Sequence, residues 1–260
     1  MISAIKMHLQ GIKTGLAVRM AYRADFIISA FIMLISEFFG PLLTYLIYNN
    51  EASLPGWSMY EVLFIQGVFL LSKGISFPFF FGIVWNTLDR VQNGTFDLLL
   101  IKPRSVLQML IVTGFDSEDL GKLIGGLALT GIALYRLPRP GLSEWVAFIG
   151  LFVISLVVMF GFALILAGLG IVWIGNYRVY EIFSSIANFG MYPASIFSKS
   201  LQTVITSVIP VAMLGFIPAS ALLGKPYENT LYAVIISFMF LFASLLFWNT
   251  TLKKYTSSGG

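Results

Sequence analysis

Cysteine is absent from this 260-residue chain, so disulfides, thiolate metal sites and a cysteine nucleophile are excluded. Histidine occurs once, as His8, with no second ligand near it in sequence, which leaves no metal or acid–base centre built on imidazole. Charge is scarce too. Asp, Glu, Lys and Arg make up 11% of residues, against roughly a quarter in soluble domains. There is no Gly-x-x-x-x-Gly-Lys-Ser/Thr run: Gly224-Lys225 is followed by Pro226 and lacks the upstream glycine. Paired carboxylates in an aqueous cleft and a Ser-His-Asp set are also missing. The expectation is a chain that is not an enzyme, with no catalytic residue, cofactor or metal of its own.

What is abundant is apolar surface: 58% of residues are hydrophobic and the mean hydropathy is +0.88. A hydrocarbon core of about 30 Å needs roughly 20 apolar residues in a helix, and several stretches qualify. The chain therefore reads as a single all-α integral membrane protein over residues 1–260. Six spans are expected: Phe26 to Ile47, Tyr60 to Trp85, Leu120 to Tyr135, Trp145 to Trp173, one starting near Glu181, and Asn229 to Trp248. The basic, polar start does not match a cleavable signal peptide. Ile5, Leu9, Ile12, Leu16 and Met20 recur at helical spacing, so residues 1–25 read as an amphipathic interfacial elbow helix. The stretch near Glu181 is interrupted by Pro193, Lys199, Pro210 and Pro218, a pattern one straight helix cannot carry. Residues 199–227 are expected to form a re-entrant hairpin on the outer side, marked by Pro210 and Pro218, since broken backbone at membrane depth must be covered by protein or line a cavity.

The sequence pI of about 9.2 reflects basic residues that flank apolar spans, which is membrane-surface charge, so the bilayer and not nucleic acid is the expected partner. With the N-terminus inside, eleven Lys and Arg lie on the inner side, Lys122 among them, and four lie outside: Arg136, Arg139, Lys199 and Lys225. Both termini are thus expected in the cytoplasm. Lys73 and Glu37 are the charges deepest in the spans. Glu37 lies 11 residues past Phe26 and Lys73 lies 11 before Val84, about 16 Å from the inner boundary at 1.5 Å per residue, which predicts an ion pair between the first two spans. Gly121 and Gly125, and Ala163 and Ala167, stand four apart and point to close helix packing within the chain. Asp116, Glu118 and Asp119 form an acidic cluster that suits the first turn of a helix.

The long polar interruption is residues 86–119, centred on Val91-Gln-Asn-Gly-Thr-Phe-Asp-Leu-Leu-Leu-Ile-Lys-Pro-Arg104. A helix stop at Asn93-Gly94 precedes an acidic helix start at Thr95-Phe96-Asp97. An apolar turn from Leu98 to Ile101 follows, and after the break at Lys102-Pro103 a helix is expected to restart after Pro103, a favoured first helical position, and to run over Val106 to Val112. Phe96 and Leu98 to Leu100 offer apolar knobs that water would otherwise meet.

The order Gly94-x-x-Asp97-Leu98-x-Leu100-x-Lys102-Pro103 resembles the first cytoplasmic loop of type 2 ATP-binding-cassette (ABC) permeases, the membrane subunits of exporters driven by a separate ATPase. A second similarity, Tyr192-Pro193-x-x-Ile196-Phe197 with Ile209-Pro210 and Ile217-Pro218, points to a subfamily of unassigned substrate in which two non-identical membrane subunits are common. The resemblance covers nearly the whole chain in topology. It implies a multi-pass permease subunit of the cell (inner or plasma) membrane that couples ATP hydrolysis elsewhere to export of an amphiphilic, glycan-linked, peptide or drug-like substrate. It also implies two copies of an ATPase carrying ATP and Mg, and a second permease subunit, identical or not. The loop from Asp89 to Leu100 becomes the coupling helix, with Asp89, Arg90, Gly94, Phe96, Asp97, Leu98, Leu99, Leu100, Lys102 and Pro103 as its contact set. Thr95 departs from the loop pattern, where an acid is expected. The residues alone leave open an ion- or proton-coupled secondary transporter that uses Glu37 and Lys73.

Overall fold

The computed structural model describes residues 10–15, 17, 23–117, 119–173 and 177–256. Lys6, His8, Arg19 and Glu118 lie outside them, as does most of the expected elbow. Residues 10–15 are helical, and Gly11 and Gly15 lie against Val112 and Phe115. Among the described residues the chain is all-helical, with no strand. Its helices are α1 (Arg23–Glu37), α2 (Phe39–Asn49), α3 (Met59–Ser76), α4 (Gly82–Gln92), α5 (Asp97–Leu100) and α6 (Val106–Thr113), followed by α7 (Leu120–Arg136), α8 (Leu142–Val172), α9 (Arg178–Ala187), α10 (Lys199–Thr203), α11 (Phe216–Leu222) and α12 (Thr230–Lys253).

Four helical runs among the described residues are long and apolar enough to cross a bilayer: Phe26–Asn49, Met59–Gln92, Leu142–Val172 and Thr230–Lys253. The stretches expected as third and fifth spans differ from these. Helix α7 has 17 residues, about 26 Å. Helix α9 stops at Ala187 and passes into the 3₁₀ turns Asn188–Met191 and Ala194–Ile196. The first run bends between α1 and α2 because Pro41 brings no N–H to the Glu37 carbonyl one turn earlier. Phe38 N–H closes a tighter turn onto the Ile35 carbonyl at 3.0 Å.

Helix α3 starts at a reciprocal cap: Ser58 N–H donates to Glu61 Oε2 at 2.8 Å and Glu61 N–H to Ser58 Oγ at 3.4 Å. It continues into α4 through a π-helical turn, Phe77–Phe81. Pro78 would drive its ring into the Gly74 carbonyl of a regular helix, and the widened turn relieves that clash.

Small residues set the packing and the helix directions. Gly67 meets Thr130, Gly126 meets Leu71 and Gly74 meets Leu123, so α3 and α7 run antiparallel in backbone contact. A Cβ on Gly74 would stand 2.5 Å from the Leu123 backbone. Gly121 faces Ala30 and Gly125 faces Leu34, which makes α1 and α7 parallel. Ser72 and Ser155 hydroxyls lie 3.0 Å apart and Leu88 meets Gly170, so α8 runs with α3 and α4. Gly161 meets Phe240 and Gly168 meets Phe247, so α12 runs that way too.

Two hydrophobic cores result. The larger includes Phe64, Phe69, Met159 and Leu214. The smaller lies at the end that carries Asn93 and gathers Ile83, Phe96, Leu99, Leu110, Leu164 and Trp248. Between them both helical runs of the antiparallel α3–α7 pair are broken at the same level. The chain between Thr113 and Leu120 separates α6 from α7, opposite the π-turn that separates α3 from α4. Gly82 and Gly114 meet backbone to backbone, Asp116 N–H donates to the Pro78 carbonyl at 3.1 Å, and the Phe79 and Phe115 rings are 5.8 Å apart.

Candidate functional site

Helix α4 ends because Gly94 adopts a left-handed backbone, φ 66°, that other residues take at a cost. Gly94 N–H donates to the Val91 carbonyl at 3.3 Å and Thr95 N–H to the Arg90 carbonyl at 2.8 Å, satisfying the last carbonyls of the helix. The one-turn helix α5 then has two faces. Phe96 and Leu99, three apart, point into the smaller core and are 0% and 1% exposed, with the Phe96 ring 4.9 Å from Tyr255. Leu98 and Ile101, also three apart, point out at 54% and 81%, with Leu100 at 45%.

Phe96 and Leu99 are therefore not solvent-facing knobs. They are the seat of the turn, and the exposed apolar ridge is Leu98, Leu100 and Ile101. Lys102, Pro103 and Arg104 lie exposed beside it and Asp97 is half-buried. The next helix runs over Val106–Thr113, as expected, and starts three residues past Pro103. Ser105 caps α6, its hydroxyl accepting from Gln108 N–H at 3.3 Å. Asp89 accepts a hydrogen bond from the Tyr177 hydroxyl, tying α4 to the approach of α9. That bond pushes the Tyr177 phenol above its usual pKa, and partial burial adds to the effect.

Deeper in the bundle Lys73 Nζ and Glu37 Oε1 lie 2.5 Å apart, with side chains 12% and 17% exposed. Sequence reasoning missed a second pair, Asp119 with Lys122, buried at 8% and 7%. The signal was present in the i, i+3 spacing of opposite charges at the start of α7. Both ammonium groups flank one ring: Lys122 Nζ is 4.4 Å and Lys73 Nζ 5.9 Å from the centre of Phe77. Lys122 is therefore a buried partner of Asp119 and not the surface charge that its position near a span end suggests. A cavity of about 10 Å³, room for one water, adjoins Lys73, with Tyr180, Ser184 and Asn188 as its other polar lining.

The proline-rich stretch folds back on itself. Helix α10 and the π-turn Val204–Val208 lead to Pro210, the 3₁₀ turn Val211–Leu214 and Gly215. There the Ser72 hydroxyl donates to the Leu214 carbonyl at 2.7 Å. Helix α11 then returns toward the start of α3, placing Phe216 5.8 Å from the Trp57 ring. Pro210 and Pro218 are both buried; Pro218 falls in the first turn of α11, where no backbone donor is required.

A family model described as ABC-2 family transporter protein matches residues 31–259. No curated protein matches the chain.

Proposed function

The chain belongs to the ABC-2 family of transporter proteins, and on that premise we propose that it is an export permease driven by an ATPase docked on the ridge Leu98, Leu100 and Ile101. As a family member it is a multi-pass membrane subunit of an ABC transporter, a transport chain and not the catalytic one. One observation carries the docking site. Three large apolar side chains stand exposed on a turn whose opposite face is locked into a core, at the end of the bundle where basic residues collect. An apolar ridge on a rigid mount is what a partner pocket needs, and Asp97, Lys102 and Arg104 at its rim suit orientation by charge.

The assembly proposed is two permease subunits, identical or not, with two ATPases that hold ATP and Mg. Six crossings are proposed, with α6 and α7 forming the third and the broken run from α9 the fifth. Residues 1–25 then lie at the inner interface, residues 199–227 re-enter from outside, and both termini are cytoplasmic in the cell membrane. The tryptophans support this placement. Trp57, two residues before the run Met59–Gln92, and Trp85 within it are 28 residues apart, as are Trp145 in the first turn of the parallel α8 and Trp173 just past its end, about 42 Å at the helical rise. That matches a bilayer with its headgroups, the level at which indole rings settle. The substrate class proposed is an amphiphile, a glycan-linked lipid, a peptide or a drug-like molecule.

The test is co-expression with the ATPase. Leu98→Asp with Ile101→Asp should abolish co-purification while the chain still inserts and remains monodisperse in detergent. Undiminished association and undiminished substrate-stimulated hydrolysis would sink the docking site. A secondary-transport reading centred on Glu37 and Lys73 gains nothing from the geometry, because each charge already has its partner.

A further inference from the structure

The end of the bundle opposite the ridge converges on Trp57. The Tyr48 hydroxyl donates to the Trp57 carbonyl at 2.6 Å and Trp57 Nε1 donates to Ser195 Oγ at 2.9 Å. Beneath it residues 211–222 are buried without exception, so the returning limb fills the bundle from the level of Ser72 upward. That limb occupies the interior of this half of the chain, so an exit route through it opens only when the limb moves. Its far end is a helix stop: Gly224 takes φ 67°, Gly224 N–H donates to the Ala221 carbonyl at 3.3 Å and Lys225 N–H to the Ser220 carbonyl at 2.9 Å. The reversal aims the next side chain back at the bundle. Lys225 Nζ reaches Glu61 Oε1 at 2.7 Å and the Gly56 carbonyl at 3.1 Å, and sits 4.9 Å from the centre of the Trp57 ring. Glu61 is fixed for this by its other oxygen, which caps α3 through Ser58.

We propose that Lys225, held by Glu61, Gly56 and Trp57, is the latch of an outer plug formed by residues 211–222, and that export requires its release. The seat is built for a primary ammonium group: a carboxylate, a carbonyl and an aromatic face. It is also accessible, since the Lys225 side chain is 43% exposed and that of Glu61 14%, so water can replace the bonds one at a time. The outward placement rests on the topology proposed above, and the test separates the two.

Ser220 is fully buried in α11, and Ser220→Cys gives this cysteine-free chain one thiol beneath the latch. Labelled in membranes by an impermeant maleimide, that thiol should react slowly from outside, and about tenfold faster when Lys225→Ala is added. Glu61→Gln, which keeps the cap on Ser58, should accelerate labelling comparably, and ethylammonium added to Lys225→Ala should restore protection. Unchanged rates in both variants would overturn the latch. Acceleration by Lys225→Ala alone, with no effect of Glu61→Gln or of ethylammonium, would assign the closure to packing of the lysine stem and also overturn it. Labelling from the cytoplasmic side only would overturn the topology instead.

Discussion

Leu98 and Leu99 are chemically identical neighbours with opposite surroundings, and substituting each by alanine separates docking from folding. Leu99 is 1% exposed among Ile83, Leu110, Leu164 and Trp248, so Leu99→Ala leaves a cavity that costs about 2–5 kcal/mol. Leu98 is 54% exposed, so Leu98→Ala should change stability by less than about 0.5 kcal/mol. Its effect belongs to the complex. Fully burying a leucine is worth about 1.5–3 kcal/mol, and the exposed half of Leu98 leaves about 1–1.5 kcal/mol for a partner to gain. Leu100, 45% exposed, adds a similar amount. The double change Leu98→Ala with Leu100→Ala should therefore weaken ATPase binding about 30- to 150-fold, at 1.4 kcal/mol per factor of ten. The assay is titration of purified ATPase onto permease in nanodiscs, beside a thermal unfolding scan of the permease alone. Leu99→Ala should lower the unfolding midpoint, and the double variant should leave it in place while losing affinity. If the double variant binds as tightly as the unmodified chain, or if Leu99→Ala unfolds no earlier, the two-faced account of α5 is wrong.

Glu37→Gln alone should lower folding yield, because an isolated charge at helix centre costs about 2.5–3.5 kcal/mol on insertion scales, and the swap Glu37→Lys with Lys73→Glu should recover much of it; equal yields for single and swapped variants in a quantitative membrane blot would refute a structural pair. Gly74→Ala should destabilise by about 1–3 kcal/mol, since the backbone of Leu123 cannot rotate away, whereas Gly131→Ala, with nothing within 4 Å, should be neutral or slightly stabilising in the same unfolding scan. Reporter fusions after residue 256 and within Asn49 to Trp57 should report opposite sides of the membrane, and matching sides would eliminate the six-crossing arrangement. Cysteine at Ser207 should label from the same side as the Asn49 to Trp57 fusion, because re-entrance keeps the hairpin on one face.

Four of the expected spans, the close packing at Gly121 and Gly125 and the stop at Asn93-Gly94 were legible because each is written in neighbouring residues. A run of apolar side chains, a small residue every fourth position and a glycine after a helix need no distant partner to be recognised. The burial of Phe96 and Leu99 had no such signature. Their cover comes from Leu164, Trp248 and Tyr255, far along the chain, and nothing in the loop encodes that those residues return to it. Lys122 was misplaced for a related reason. A lysine near a span end reads as a surface anchor, and only the overlap of Gly74 with Leu123 shows that α7 starts well inside the bundle. The Ser58-x-x-Glu61 cap was fully visible in the sequence and overlooked, whereas the second duty of Glu61 toward Lys225 depends on chain 164 residues away.

The π-turn at Phe77–Phe81 also fixes how this protein tolerates changes in length. A π-turn is in effect one residue added to an α-helix, and each residue turns a helix by about 100°. Deleting Pro78 would remove both the extra residue and the ring that the widened turn accommodates, make α3 and α4 a single regular helix and swing everything beyond it through that angle. Leu88 would leave Gly170, Gly82 would leave Gly114, and the ridge at Leu98 would face another direction with its own local sequence untouched. The distance from the Ser58 cap to the Gly94 stop is thus counted residue by residue.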